Sequence, residues 1–184
     1  MARTDGTTKH KHTVVALVED HPGVLNRVVS LFRRRGFNID SIAVGHSEQP
    51  HLSRMTIVVN GGDLMVEQVR KQLAKVPFVI KVSDITAENI VARELALIKI
   101  KATSATRSEI VHIVDIFRAN IVDVAPDSVT IEVTGDEDKI DSMMNLLRGF
   151  GIREIARTGR IAMVRGGTGL LPMKEKVARS RTKK

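Results

Sequence analysis

The feature that most constrains the fold is one order of apolar segments that occurs twice along the chain. In the first half, the valine-rich run Val14 to Val18 is followed by a helical stripe, two strand-like segments, a second helical stripe and a strand at Phe78 to Val82. The same order recurs between Glu94 to Lys101 and Ile152 to Ala156. A strand–helix–strand–strand–helix–strand unit is typical of a ferredoxin-like sheet with both helices on one face. The sequence therefore predicts an α+β protein with two ferredoxin-like (βαββαβ) domains in tandem.

Charge and composition divide the chain into five segments. The formal net charge is +8, of which Met1 to His12 contribute +2 and Lys174 to Lys184 contribute +5, so that the body is nearly neutral. We predict a flexible basic head at 1–11, a first domain at 12–85, a linker at 86–93, a second domain at 94–165 and a flexible basic tail at 166–184.

Several classes of protein are disfavoured by the composition. There is no Trp or Tyr to stack on bases, which disfavours a nucleic-acid-binding ferredoxin-like protein despite a pI of about 10.1, although that class stays an alternative. No apolar run is long enough for a membrane span, and the absence of cysteine is typical of a cytoplasmic protein. No nucleophile–base pair or metal-ligand spacing is visible, so we expect neither an enzyme nor a metal site.

The junction between the first strand and the first helix is the stretch best suited to bind a small ligand. It reads Glu19-Asp20-His21-Pro22-Gly23-Val24-Leu25. Pro22 suits the first helical position, so the sequence predicts a helix that starts there and is capped by His21 or Asp20. At the other end of the same helix, Arg33 to Arg35 lie in the last turn, where cations complement the helix dipole; a partner-binding patch is the alternative.

The start of this helix predicts an anion site. The N–H groups around Gly23, Val24 and Leu25 lack helical partners and could bind a carboxylate or a phosphate, while an ordinary strand-to-helix turn is the alternative. At the same place in the second domain, Thr103 to Thr106 contain neither Gly nor Pro. We therefore expect only the first domain to bind a small ligand.

Several specific motifs resemble the regulatory (small) subunit of acetohydroxyacid synthase, also called acetolactate synthase. The resemblance covers about residues 12 to 165 and identifies the first domain as an ACT domain. Its motifs are Val15-Ala16-Leu17-Val18-Glu19-Asp20-His21-Pro22-Gly23-Val24-Leu25, Leu31-Phe32, Arg35-Gly36-Phe37-Asn38-Ile39-Asp40-Ser41, Leu52-Ser53-Arg54-Met55-Thr56-Ile57, Glu94-Leu95-Ala96-Leu97-Ile98-Lys99 and Ile116-Phe117-Arg118.

This resemblance implies a non-catalytic activator and feedback sensor for a separate catalytic subunit. That subunit uses thiamine diphosphate, Mg and FAD, none of which this chain would hold. ACT domains of the family dimerise and bind an effector, usually valine, at their interface. By position, the implied effector-binding residues are Asp20, Gly23, Val24 and Leu25 on the loop side, with Asn38 and Ile39 from the partner chain. Asp20 departs from the family pattern, in which Asn is frequent, and an ACT sensor for another amino-acid enzyme is the alternative.

Overall fold

The computed structural model describes residues 10–166, which divide into two units. Unit 1 comprises the described residues up to Val91 together with 162–166, and unit 2 runs from Ala92 to Ile161. The predicted tail at 166–184 lies outside the described residues except for Gly166, and so does the predicted head except for its last two residues.

Unit 1 is a four-stranded antiparallel sheet with the strand order β2-β3-β1-β4. Its elements are β1 (His10–Glu19), α1 (Val24–Arg35), β2 (Ile39–His46), β3 (Leu52–Gly61), α2 (Asp63–Leu73) and β4 (Val79–Asp84). This order of elements and strands confirms the predicted ferredoxin-like arrangement.

The core of unit 1 lies between the sheet and its two helices. The apolar stripes of α1 and α2 pack on the sheet face formed by every second residue of β1 and β3, as helical and strand periodicities require. The fully buried members of this cluster include Val14, Ala16, Val28, Ile57 and Leu73. The opposite face of β1 and β3 is buried too, since Val15, Leu17 and Val58 are at most 5% exposed. Both helices are thereby held on one face, with α1 starting at the end of β1.

Unit 2 repeats the arrangement with the strand order β6-β7-β5-β8. Its elements are β5 (Ile90–Lys101), α3 (Arg107–Ile116), β6 (Asn120–Ala125), β7 (Ser128–Gly135), α4 (Glu137–Leu147), a 3-10 turn (Arg148–Phe150) and β8 (Ile152–Arg157). A short strand that was not predicted, β9 (Ile161–Val164), also pairs with β5. The fold class, α+β with two βαββαβ arrangements, is confirmed.

Two of the predicted segment boundaries differ from the structure. The predicted head at 1–11 extends too far, because His10 and Lys11 already belong to β1 and pair with Gly61 and Asn60. The last residues of the 86–93 linker are part of β5, which begins at Ile90. At the end of the predicted second domain, 94–165, the residues from Ala162 onward group by their contacts with unit 1.

One hydrogen bond within unit 1 joins residues far apart in the chain. Nη2 of Arg54, on β3, donates to the carbonyl oxygen of Ala162 at 2.8 Å. Burial lowers the pKa of the Arg54 guanidinium, an effect that the charge of Glu48 partly opposes. The segment after unit 2 therefore supplies an acceptor for a half-buried cation of β3.

Candidate functional site: the loop before helix α1

The helix start differs from the prediction in its capping residue. Helix α1 begins at Val24, its N-cap is Gly23, and no side chain caps it, so the predicted first helical position for Pro22 and the predicted caps His21 and Asp20 are wrong. Gly23 has a φ of 86°, a left-handed conformation that glycine adopts without strain. The N–H of Val24 then donates to the carbonyl oxygen of His21 at 3.2 Å, which closes a turn around Pro22.

The glycine cap leaves three backbone N–H groups at this end of the helix without a partner. Among the described residues, no acceptor contacts the N–H of Gly23, Leu25 or Asn26, whereas the N–H of Arg27 donates to the carbonyl oxygen of Gly23 at 3.0 Å. The N–H of Val24 is occupied, as stated above, and its side chain is buried. Two of the three predicted donors, those of Gly23 and Leu25, are therefore available, and the N–H of Asn26 is available in place of that of Val24. They coincide with the positive end of the helix dipole.

Asp20 provides a carboxylate in the same loop, three residues before Gly23. Its N–H donates to the carbonyl oxygen of His51 at 2.7 Å, which fixes the loop to the β2–β3 turn. Its Oδ2 lies 3.4 Å from Nδ1 of His46, and the Asp20 side chain is 50% exposed. An exposed carboxylate next to a donor-rich helix start can bind an ammonium group while the donors bind an anion.

Phe78, which immediately precedes β4, supports the loop. Its carbonyl oxygen accepts the N–H of Glu19 at 2.8 Å, and its ring stacks on His21 with 4.7 Å between ring centroids. The Arg27 guanidinium lies 5.8 Å from the centre of the same ring. Phe78 has a φ of 71°, a conformation that residues with a side chain adopt rarely and that often marks a functional position. Sequence reasoning missed Phe78, His46 and His51, because they come from other elements and no local pattern connects them with the loop.

The predicted site residues do not come together within one chain. Asp20, Gly23 and the half-exposed Leu25 lie at the start of α1, whereas Asn38 and Ile39 follow its end. Since α1 has 12 residues, it is about 18 Å long. Asn38 is exposed, and Ile39 packs against the core of unit 1.

The equivalent turn of unit 2 is closed by its own side chains. The N–H of Thr103 donates to Oγ1 of Thr106 at 3.0 Å, and the N–H of Thr106 donates to Oγ1 of Thr103 at 3.3 Å. The N–H of Arg107 donates to the carbonyl oxygen of Thr103. A hydroxyl group thus takes the N–H of Thr106, which occupies the N-cap position that Gly23 has in unit 1, whereas the N–H groups of Ser108 and Glu109 have no acceptor among the described residues, like those of Leu25 and Asn26.

Two kinds of site are absent from residues 10–166. No group of three or more His, Asp or Glu side chains there is placed to hold a metal ion. In the same residues, no helix is both long and apolar enough to cross a membrane.

Comparison with known proteins gives the same assignment along most of the chain. A family model described as the small subunit of acetolactate synthase matches residues 93–166, and an AHAS small subunit-like ACT domain model matches residues 15–81. The probable acetolactate synthase small subunit of Archaeoglobus fulgidus is 60% identical over 156 residues, 85% of this chain and 98% of that protein. The acetolactate synthase small subunit of Mycobacterium bovis is 50% identical over 159 residues, 86% of this chain and 95% of that protein.

A solved structure agrees with these sequence relatives. The crystal structure of the acetolactate synthase small subunit from Thermotoga maritima superposes with a TM-score of 0.80 at 45% sequence identity, covering 86% of this chain and 99% of that one. The resemblance noted in the motifs is confirmed: the chain belongs to the acetolactate synthase small subunit family, and its first unit is an ACT domain.

Proposed function

We propose that this chain is a regulatory subunit that activates the catalytic subunit of acetolactate synthase and makes it sensitive to feedback inhibition by a branched-chain amino acid, with valine as the preferred effector. Membership of the small-subunit family supports a separate catalytic partner. In this proposal the chain is not itself catalytic. Thiamine diphosphate, Mg and FAD are held by the catalytic partner, and the complex acts in the cytoplasm in valine, leucine and isoleucine biosynthesis.

The observation that supports an effector site best is the set of unpartnered donors at the start of α1. The N–H groups of Gly23, Leu25 and Asn26 have no acceptor within residues 10–166, and Gly23 adds no Cβ to block access. They bind the effector carboxylate, because backbone N–H groups and the helix dipole both favour an anion there. In unit 2 the N-cap residue is Thr106, whose N–H is taken by Oγ1 of Thr103 and which carries a side chain where unit 1 has Gly23, and this difference supports a single effector site per chain.

The remaining groups of the effector match the side chains around the loop. The Asp20 carboxylate binds the effector ammonium group, with the Asn38 amide as a second acceptor. Leu25, which is 44% exposed, and Ile39 contact the branched side chain. Val24 positions the loop from within the core, where it is 2% exposed.

Two copies of the chain complete the site in this proposal. Asn38 and Ile39 lie about one helix length from Gly23 in the same chain, so a second ACT domain supplies them across a homodimer interface. The effector then bridges two chains and changes how the two ACT domains pair. A coupling of about 1–3 kcal/mol between effector binding and the catalytic partner is enough for inhibition of several-fold to over one hundred-fold.

Reconstitution tests the proposal. The catalytic subunit is assayed alone, with this chain, and with this chain and valine, leucine or isoleucine; calorimetry measures the binding of each amino acid to the isolated chain. We expect activation by the chain, inhibition by valine, and tighter binding of valine than of the other two. A chain that leaves the activity of the catalytic subunit unchanged would refute the regulatory role.

A matched pair of glycine variants tests the loop. Gly23→Asp places a second carboxylate at the donors, and we expect at least a tenfold loss of valine affinity with activation retained. Gly151→Asp is the control, because Gly151 also has a positive φ, 90° against 86°, but lies in unit 2. Equal valine binding by the two variants would remove the loop from the mechanism.

A further inference from the structure

A groove between α1 and α2 adjoins the effector loop, with which it shares Asn26, and has a strongly positive lining. Its volume is about 390 Å³, and it lies within unit 1. Arg27 and Arg34 of α1 line one side, and Lys75, just after α2, lines the other. Ser30 and Gln72 add neutral polar groups between them. No acidic side chain lines the groove.

The cations of this groove are not neutralised from elsewhere in the described part of the chain. No carboxylate there forms an ion pair with Arg27, Arg34 or Lys75, and the Arg27 guanidinium lies 5.8 Å from the centre of the Phe78 ring. Helix α1 contains four arginines and no acidic residue. Glu67, the only acidic side chain of α2 after its first residue, is held by Arg70 and Lys71. Three like charges without counter-charges repel each other, so an anionic partner stabilises them.

The shape of the groove favours a protein surface over a small anion. Arg27, Arg34 and Lys75 are all exposed. The groove has no buried charged or polar side chain that would fix the orientation of a small ligand. Leu31 and Val76 form an apolar floor. A segment with acidic side chains and one apolar side chain would therefore match both the positive charge and the apolar floor of the groove.

We propose that the α1–α2 groove is the surface on which an acidic segment of the catalytic subunit docks. This inference rests on the proposed regulatory function and adds to it the face of the ACT domain that meets the partner. The docked segment pairs its carboxylates with Arg27, Arg34 and Lys75. Complementary charge of this kind sets association rate and specificity and weakens as salt is added.

The groove also has a direct physical connection to the effector loop. Arg27 lines the groove and lies over the Phe78 ring, which in turn stacks on His21 of the loop. Pro77 lines the groove and precedes Phe78, whose carbonyl oxygen holds the N–H of Glu19. A change in the loop on effector binding therefore reaches the docking surface through one aromatic ring and two side chains.

Charge reversal in the full chain tests this surface. The double variant Arg34→Glu/Lys75→Glu is titrated into the catalytic subunit, and the concentration giving half-maximal activation is compared with that of the unmodified chain and of Arg33→Glu. Arg33 is the matched control, since it is the neighbouring arginine of the same helix but does not line the groove. We expect this concentration to increase at least tenfold for the double variant and to change less than twofold for Arg33→Glu. For the unmodified chain, the concentration that gives half-maximal activation should be higher in 300 mM than in 50 mM salt.

The outcomes separate this inference from the proposed function. Valine binding by calorimetry should be unchanged in the double variant, which shows that it is folded. If the unmodified chain activates and the double variant activates at the same concentration as Arg33→Glu, the docking surface is wrong and the regulatory function stands. The inference is also overturned if the double variant loses only the binding of inorganic phosphate, measured by NMR, because the groove is then a small-anion site. If the unmodified chain does not activate, it is the proposed function that fails.

Discussion

Among the ion pairs of unit 2, we expect the one between Glu94 and Arg157 to contribute most to the stability of the unit. Nε and Nη2 of Arg157 donate to the two carboxylate oxygens of Glu94 at 2.7 and 2.8 Å. The Glu94 side chain is 9% exposed and that of Arg157 is 29% exposed. These hydrogen bonds raise the pKa of the Arg157 guanidinium above its usual value. Glu94→Gln keeps the shape of the side chain, removes its charge and places an amide donor against the guanidinium.

The expected loss of stability follows from this geometry. Breaking a buried ion pair costs about 3–5 kcal/mol. Here the cost is lower, because Arg157 is partly exposed and its Nη1 still donates to Asp141 at 3.0 Å. We expect about 2 kcal/mol for Glu94→Gln. In a unit that runs from Ala92 to Ile161, this corresponds to a decrease of roughly 10 °C in the unfolding midpoint.

Scanning calorimetry and urea unfolding of the full chain measure this effect. The matched control is Asp127→Asn, which breaks an ion pair with Arg153 in the same unit. That pair is also 2.7 Å long, but its side chains are 69% and 41% exposed. We expect a much smaller change for the control, because solvent screens an exposed pair. Equal decreases in the two midpoints would refute the argument that burial sets the strength of the Glu94 pair.

Two further predictions concern helix α2. Leu73 is fully buried, so Leu73→Ala should lower the free energy of unfolding, measured by urea titration, by about 3 kcal/mol. Leu64 is 84% exposed, so the control Leu64→Ala should leave the free energy of unfolding unchanged. Similar losses for the two variants would contradict the packing described. The hydrogen bond from Arg70 lowers the pKa of Glu67 from 4.5 to about 2, so its stabilising contribution is complete above about pH 4.5 and is lost as the pH falls toward 2. An NMR titration of the Glu67 carboxyl with a midpoint near 4.5 would show that the pair does not form in solution.

The fold could be predicted because its determinants are local. Alternating apolar residues, helical stripes and Gly or Pro interruptions occur in the same order in both units, and each strand or helix depends on its own neighbours in sequence. Strand β9 could not be found this way, because Ile161–Val164 is too short for a periodic pattern and is defined by its pairing with β5. The start of β5 was missed at Ile90 for a similar reason: its polar neighbours in sequence suggested a linker.

The approximate start of α1 could be predicted, but the geometry of the loop before it could not. The Pro and Gly of the loop indicated where α1 begins. The left-handed conformation of Gly23 could not be predicted. With it, the N–H of Val24 donates within the turn, and the N–H groups of Leu25 and Asn26 have no acceptor among the described residues. The contacts of His46 and Phe78 with the loop depend on the sheet order, which brings the ends of β2 and β4 to the end of β1. Whether Asn38 and Ile39 of a second copy complete the site stays a prediction.

The hydrogen bond from Arg54 to Ala162 has a consequence for synthesis on the ribosome. The two residues are 108 positions apart, so at 5–20 residues per second the acceptor is translated roughly 5–20 s after the donor. During this interval water must solvate the Arg54 guanidinium, and the nascent first sheet lacks one of its native contacts. The ACT domain is thus finished only after the whole second unit has been translated. A chain truncated before residue 162 would contain every helix and strand of the first sheet but not the complete first unit.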